Sequence, residues 1–190
     1  MKELSSHILD LIANSTEAGA SLVSLSIEES KAKDLFCITI EDNGCGMSKE
    51  KLLVATDCCS TRRKERHFGL GLALAKQSAE RCEGGLTIES IENKGTKVKW
   101  SCRYSHIDRQ PLGNMAQVVA IAVSNPDLRL IYRHSTDYGS FLFDSLEQMQ
   151  KLNLVPPLTS SELMAIRREA EQNLAQIGAE TYQHNNNKNT

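Results

Sequence analysis

The chain has 190 residues, enough for one domain with a full core, or one domain and an appendage. Its 40% hydrophobic and 24% charged content is ordinary for a water-soluble protein. The net charge of -2 gives no electrostatic reason to expect nucleic acid or membrane as a partner, and no apolar run approaches the roughly 20 residues that span a bilayer.

Met1-Lys2-Glu3-Leu4 enters an amphipathic pattern at once, without the apolar stretch of a signal peptide, so a cytoplasmic protein is expected. Residues 4–18 are predicted helical, with Leu4, Ile8, Leu11, Ile12 and Ala18 at helical spacing and Gly19 as the stop. Residues 22–28 alternate as a half-buried strand, with Leu22, Ser24 and Ser26 against Val23, Leu25 and Ile27. A polar turn over 29–34 leads to a second strand, 35–41, which runs into Asp42-Asn43-Gly44-Cys45-Gly46-Met47. Ser48 is placed to cap a short helix over 49–55, with Glu50 near its positive end. A polar loop over 56–67 precedes a helix over 70–82, opened by Gly69 and Gly71 and stopped by Gly84-Gly85. Residues 86–91 and 97–104 read as a hairpin around Asn93-Lys94-Gly95. This alternation implies helices over one face of a mixed sheet.

Beyond residue 106 the pattern changes. Residues 108–113 form a linker containing Pro111, and 115–124 a strongly apolar helix that core or partner must cover. Residues 128–133 and 140–143 are a second hairpin, and 146–152 a helix. Pro156-Pro157 ends this unit; Ser160 or Ser161 is expected to cap a last helix, to about Ile177. The expected organisation is a main domain over 1–105, an αββα extension or docking lobe over 106–155, a helix over 156–180 and a disordered tail over 181–190. Cys37, Cys45, Cys58, Cys59, Cys82 and Cys102 form no CxxC pair and are expected as free thiols. Cys58-Cys59, adjacent in a loop, leave a redox role open.

Three features carry chemistry. Asp10 and Asn14 are one turn apart and share a helix face with His7 and Glu17. A solvated polar face is the plain reading. Asn14, however, is a poor mid-helix residue, and its amide oxygen suits Mg²⁺, while Asp10 can polarise an attacking group. Asp42, ionised, only accepts hydrogen bonds, so it fits the exocyclic amine of adenine and repels the oxygen guanine carries there. Gly44 and Gly46 leave room for a flat ring, and Met47 can pack on it. An ordinary Asp-Asn-Gly turn is the alternative. Gly69-Leu70-Gly71-Leu72 opens a helix whose free N–H groups are a seat for phosphate, or simply marks a helix start. Arg62, Arg63, Lys64 and Arg66 precede it, either to close over phosphates or as a solvated basic loop.

Together these residues resemble the GHKL superfamily of gyrase-type topoisomerases, the heat-shock chaperone ATPase, histidine kinases and MutL ATPases. Residues 10–20, DLIANSTEAGA, look like the N box, with a MutL-like ending. Residues 42–47, DNGCGM, look like the G1 box. Residues 68–73, FGLGLA, are similar to the histidine-kinase G2 box, and Lys94-Gly95-Thr96 to the final GT element. The resemblance covers residues 1–105. It implies an α+β two-layer sandwich of the Bergerat type binding ATP and Mg²⁺. By position, Asp10 stands for the base, Asn14 for the metal ligand, Asp42 for the adenine acceptor and Gly69 and Gly71 for the lid hinge beside the phosphates. The resemblance also implies that the Thr96 hydroxyl helps hold adenine. The chain also looks like small stand-alone bacterial proteins of this type.

Departures are visible. The base position usually holds Glu, and Asp10 is one methylene shorter. His67 replaces the first Gly of the G2 pattern, and the 56–68 lid is short. Residues 106–190 are not expected to match the following domain that gyrase and MutL relatives need, and an upstream helix with a phospho-acceptor His is not expected. His7 is expected to be structural or to tune Asp10. The favoured activity is phosphoryl transfer to a separate protein partner; an ATPase switch and a non-catalytic ATP sensor are the alternatives. The partner is unidentified, and a homodimer is left open.

Overall fold

The computed structural model describes residues 3–58 and 70–180. The first helix, α1 (Leu4–Glu17), buries Leu4, Ile8 and Ile12 along one stripe, as the periodicity requires. It has no side-chain N-cap. Instead the N–H groups of Leu4 and Ser5 donate to the carbonyls of Pro111 and Leu112, at 3.0 and 2.7 Å. The expected linker therefore serves as the cap of the first helix.

The strands are β1 (Leu22–Ser30), β2 (Leu35–Asp42), β3 (Gly85–Ile91), β4 (Gly95–Arg103), β5 (Arg129–Ser135) and β6 (Ser140–Asp144). They form one sheet in the order β3-β4-β2-β1-β5-β6. The pairing of β1 with β5 is parallel and the rest are antiparallel, so the sheet is mixed. The second hairpin continues the main sheet beyond β1. Side chains alternate across it. Val23, Leu25, Ile27, Phe36, Ile38, Ile40, Trp100 and Tyr132 are buried on the helix side. Glu41, Lys97 and Lys99 are exposed on the other face. The chain is thus an α+β sandwich with helices packed on one side of a mixed sheet.

The remaining helices are α2 (Lys49–Cys58), α3 (Leu70–Arg81), α4 (Met115–Val123), α5 (Ser145–Leu152) and α6 (Ser160–Gln176). The apolar α4 lies against α1, β5 and α6, with Val118, Val119 and Val123 buried. Its covering is core packing by this chain. Trp100 Nε1 donates to the Ala75 carbonyl at 2.8 Å, which ties α3 to β4.

Three local expectations change. The helix predicted over 49–55 runs on to Cys58, because no Gly or Pro interrupts Thr56-Asp57-Cys58 and extending a helix costs less than starting one. The N-cap of α6 is Thr159, not Ser160 or Ser161. Its hydroxyl accepts from Glu162 N–H while the Glu162 carboxylate accepts from Thr159 N–H, a reciprocal capping box. The polar turn predicted at 29–34 begins later, since β1 includes Glu29 and Ser30, both buried. Glu29 stays in the strand because it finds partners. Its Oε1 lies 2.6 Å from His134 Nε2 and accepts from the Glu180 N–H at 3.0 Å. His134 Nδ1 in turn pairs with the Tyr132 hydroxyl at 2.5 Å. The expected tail over 181–190 and most of the basic loop, 59–69, lie outside the described residues.

Candidate functional site

Asp42 ends β2 on the helix side of the sheet, opposite Val23 of β1 and Thr96 of β4. Three donors hold its carboxylate. Oδ1 accepts from the N–H groups of Gly44 at 2.9 Å and Thr96 at 3.3 Å. Oδ2 accepts from the Ser15 hydroxyl at 3.0 Å, although the same hydroxyl also lies 3.1 Å from the Leu11 carbonyl and has one proton to give. Asp42 is therefore where α1, β2 and β4 meet.

The loop after Asp42 is pinned from both sides. Asn43 Oδ1 accepts from the N–H groups of Ser21 and Leu22, both at 2.9 Å. Cys45 N–H donates to the Ala18 carbonyl at 2.9 Å, and the Cys45 carbonyl accepts from Asn93 N–H at 2.7 Å. Gly46 has φ 61°, and a Cβ there would lie 2.1 Å from the Ile91 carbonyl oxygen. Gly95 has φ 112°, and a Cβ there would lie 1.8 Å from the Asp42 carbonyl oxygen. Only glycine fits either place, so the 42–47 loop and the β3–β4 turn interlock by backbone contact. Met47 is buried, and its N–H donates to Ser90 Oγ at 2.8 Å.

The structure thus brings Asp42, Gly44, Gly46, Met47 and Thr96 together at one end of the sheet. Ser15 joins α1 to that cluster, next in sequence to the half-buried Asn14. Asp10, one turn earlier, is exposed. Leu70 and Gly71 lie in the first turn of α3, Leu72 is buried, and α3 packs on α1, β3 and β4. Gly69 and Arg62, Arg63, Lys64 and Arg66 fall outside the described residues. Among the described residues, no group of three His, Cys, Asp or Glu could hold a metal ion.

Sequence reasoning assigned no role to Ser15 or Ser90. Both carry a readable sign. Ser15 falls on the buried side of α1, and Ser90 on the inward face of β3, in alternation with Leu86 and Ile88. A small polar residue on an apolar face needs a partner. Cys45 is an exposed free thiol, and Cys37, Cys82 and Cys102 are buried free thiols. Burial pushes the Cys102 thiol up to about 12.

Residues 2–105 match the family described as histidine kinase-, DNA gyrase B- and HSP90-like ATPase. A putative sensor protein of Shewanella frigidimarina is 29% identical over 100 residues, covering 52% of this chain and 15% of that protein. The sensor histidine kinase WalK of Bacillus subtilis is 31% identical over 87 residues, covering 43% of this chain and 14% of its own. The sensor protein DegM of a Bacillus species is 32% identical over 91 residues, covering 48% and 24%. The chain thus spans less than a quarter of the length of these curated relatives. Of solved structures, the N-terminal domain of a DNA repair protein aligns at TM-score 0.49 and 15% identity, over 75% of this chain and 52% of that one. The Aquifex aeolicus MutL ATPase domain complexed with ADP aligns at 0.45 and 13%, over 89% and 70%. Among the described residues, no helix is long and apolar enough to cross a membrane.

Proposed function

The chain belongs to the histidine kinase-, DNA gyrase B- and HSP90-like ATPase family, and we propose that it binds Mg-ATP where β2, β4 and α1 meet. The observation that carries this reading is Asp42, a carboxylate fixed by Gly44, Thr96 and Ser15 on the helix side of the sheet. Its oxygens are acceptors only, which suits the amine of adenine. Gly44, Gly46 and Met47 would border the ring, and Thr96 would reach its polar edge. Leu70, Gly71 and Leu72, which follow Gly69 in sequence, would present helix N–H groups to phosphate. The Asn14 amide oxygen would ligate magnesium. A single protein oxygen fits Mg²⁺, which keeps several waters and takes phosphate oxygens as well. When bound, the nucleotide supplies an activated γ-phosphoryl group and the metal spreads its charge. Asp10 would accept a proton from the attacking group.

The favoured activity is phosphoryl transfer to a separate protein. It is supported by the similarity to the sensor histidine kinase WalK and by the histidine-kinase-like FGLGLA stretch at 68–73. This activity needs a compartment that holds ATP, and the cytoplasm supplies it. A second reading, a non-catalytic ATP sensor, is favoured by Asp10 itself, which is exposed and one methylene shorter than Glu. Misplacing a base by about an ångström costs on the order of a hundredfold. Turnover and binding measured on Asp10→Asn and Asn14→Ala separate the two. Catalysis requires Asp10→Asn to lose turnover by about a hundredfold or more while keeping ATP affinity, and Asn14→Ala to lose magnesium-dependent affinity. Tight ATP binding by the parent, with no hydrolysis and no labelling of any co-purified protein, would leave the sensor.

A further inference from the structure

Resting on the Mg-ATP reading above, we infer that Ser90 is a positioning residue that locks the Thr96 hydroxyl as an acceptor and so adds a second discriminator for adenine over guanine. Ser90 Oγ has three partners. Met47 N–H lies at 2.8 Å, the Gly95 carbonyl oxygen at 3.1 Å and Thr96 Oγ1 at 2.9 Å. A hydroxyl has one proton to give and two lone pairs to receive. The Met47 N–H can only donate and the Gly95 carbonyl can only accept. All three bonds are made together in one arrangement alone. Ser90 receives from Met47, gives its proton to Gly95 and receives the proton of Thr96.

That arrangement spends the only proton Thr96 has. Thr96 Oγ1 then has only lone pairs left to offer the proposed nucleotide. Thr96 is also the direct cross-strand neighbour of Asp42 on the same face of the sheet, where paired Cβ atoms lie about 4.5–5.5 Å apart. Two acceptor-only groups stand side by side. An exocyclic amine has two hydrogens to offer them, whereas the O6 of guanine meets lone pairs from both. Without Ser90, the Thr96 hydroxyl is free to turn and donate to a guanine oxygen. Ser90 itself touches no ligand in this account and acts through Thr96.

Calorimetric titration of ATP and GTP into the full chain tests this. In Ser90→Ala the preference for ATP over GTP is expected to fall about threefold to tenfold, the worth of one hydrogen bond. In a Thr96→Val background the same substitution should leave the ratio unmoved, because the hydroxyl it orients is gone. Should Ser90→Ala not fold by circular dichroism, Ser90→Cys replaces it, since a thiol is a weak donor and acceptor, and the same fall is required. A folded variant that weakens both nucleotides equally overturns the inference, because a purely structural Ser90 acts in that way. A parent chain that binds neither nucleotide overturns the Mg-ATP reading beneath it instead.

Discussion

Asp42 and Asp34 show how differently the same side chain is used on one strand pair. Asp42 is held at the site end by donors from α1, β4 and the loop after β2. Asp34, at the opposite end of β2, closes a turn. It accepts from the Ser105 N–H and from Arg103 Nε, both at 2.8 Å, and from the Ser105 hydroxyl at 3.1 Å. These bonds, the backbone one foremost, hold its carboxyl down to about 2. A carboxyl depressed below its unfolded value of about 3.9 stabilises the fold above that pH, and this contribution fades as pH drops toward 2. Asp34→Asn suits the φ of 50° here, which Asn tolerates. The substitution should lower the urea midpoint at pH 7, and its gap from the parent should narrow between about pH 4 and 2. A gap that stays constant over that range would contradict the assignment. Low salt is needed, because the half-buried group is still reached and screened by solvent ions.

Among elements, α6 depends most visibly on one residue. Its capping box at Thr159 and Glu162 starts a helix that buries Ile166, Ala170 and Leu174. The helix covers α4, which in turn packs on α1, the helix that carries Asp10 and Asn14. Thr159→Ala should cost about 1 kcal/mol and lower Tm by about 2–4 °C in scanning calorimetry. An unchanged Tm would mean that packing alone holds the start of α6. The caps also show where sequence and structure part. Thr159 was legible, since Glu162 stands three residues on, and Ser160 and Ser161 drew attention only by being serines. The cap of α1 was not legible, because its acceptors, Pro111 and Leu112, are remote in sequence. The extension of α2 to Cys58 was hidden for another reason: mid-scale helix formers decide nothing without context.

At the scale of the whole molecule, one sheet runs from β3 to β6, so both hairpins share a core with α1 and α4. The buried Glu29, His134 and Tyr132 tie β1 to β5 across its parallel join, and the Glu180 N–H closes onto them from beyond α6. Most of the layering was readable, because alternation in β1 and β4 and helical spacing in α1 state which faces are apolar. The partner of Glu29 was not, since nothing local announces that His134 will lie in the neighbouring strand. Of the candidate site, the gathering of Asp42, Gly44, Gly46 and Thr96 at one sheet end was legible from order and spacing. Ser15 and Ser90 became visible only when the sheet brought them to Asp42 and Thr96.

The proposed pocket rests on an acceptor-only carboxylate choosing between purines. Calorimetric titration of the full chain with ATP and GTP, with Mg²⁺ present and with it chelated, tests that choice directly. ATP should bind about tenfold to a hundredfold more tightly than GTP, as one charge-assisted hydrogen bond allows, and its affinity should fall when the metal is removed. Equal or tighter binding of GTP, or no binding of either nucleotide, would contradict it.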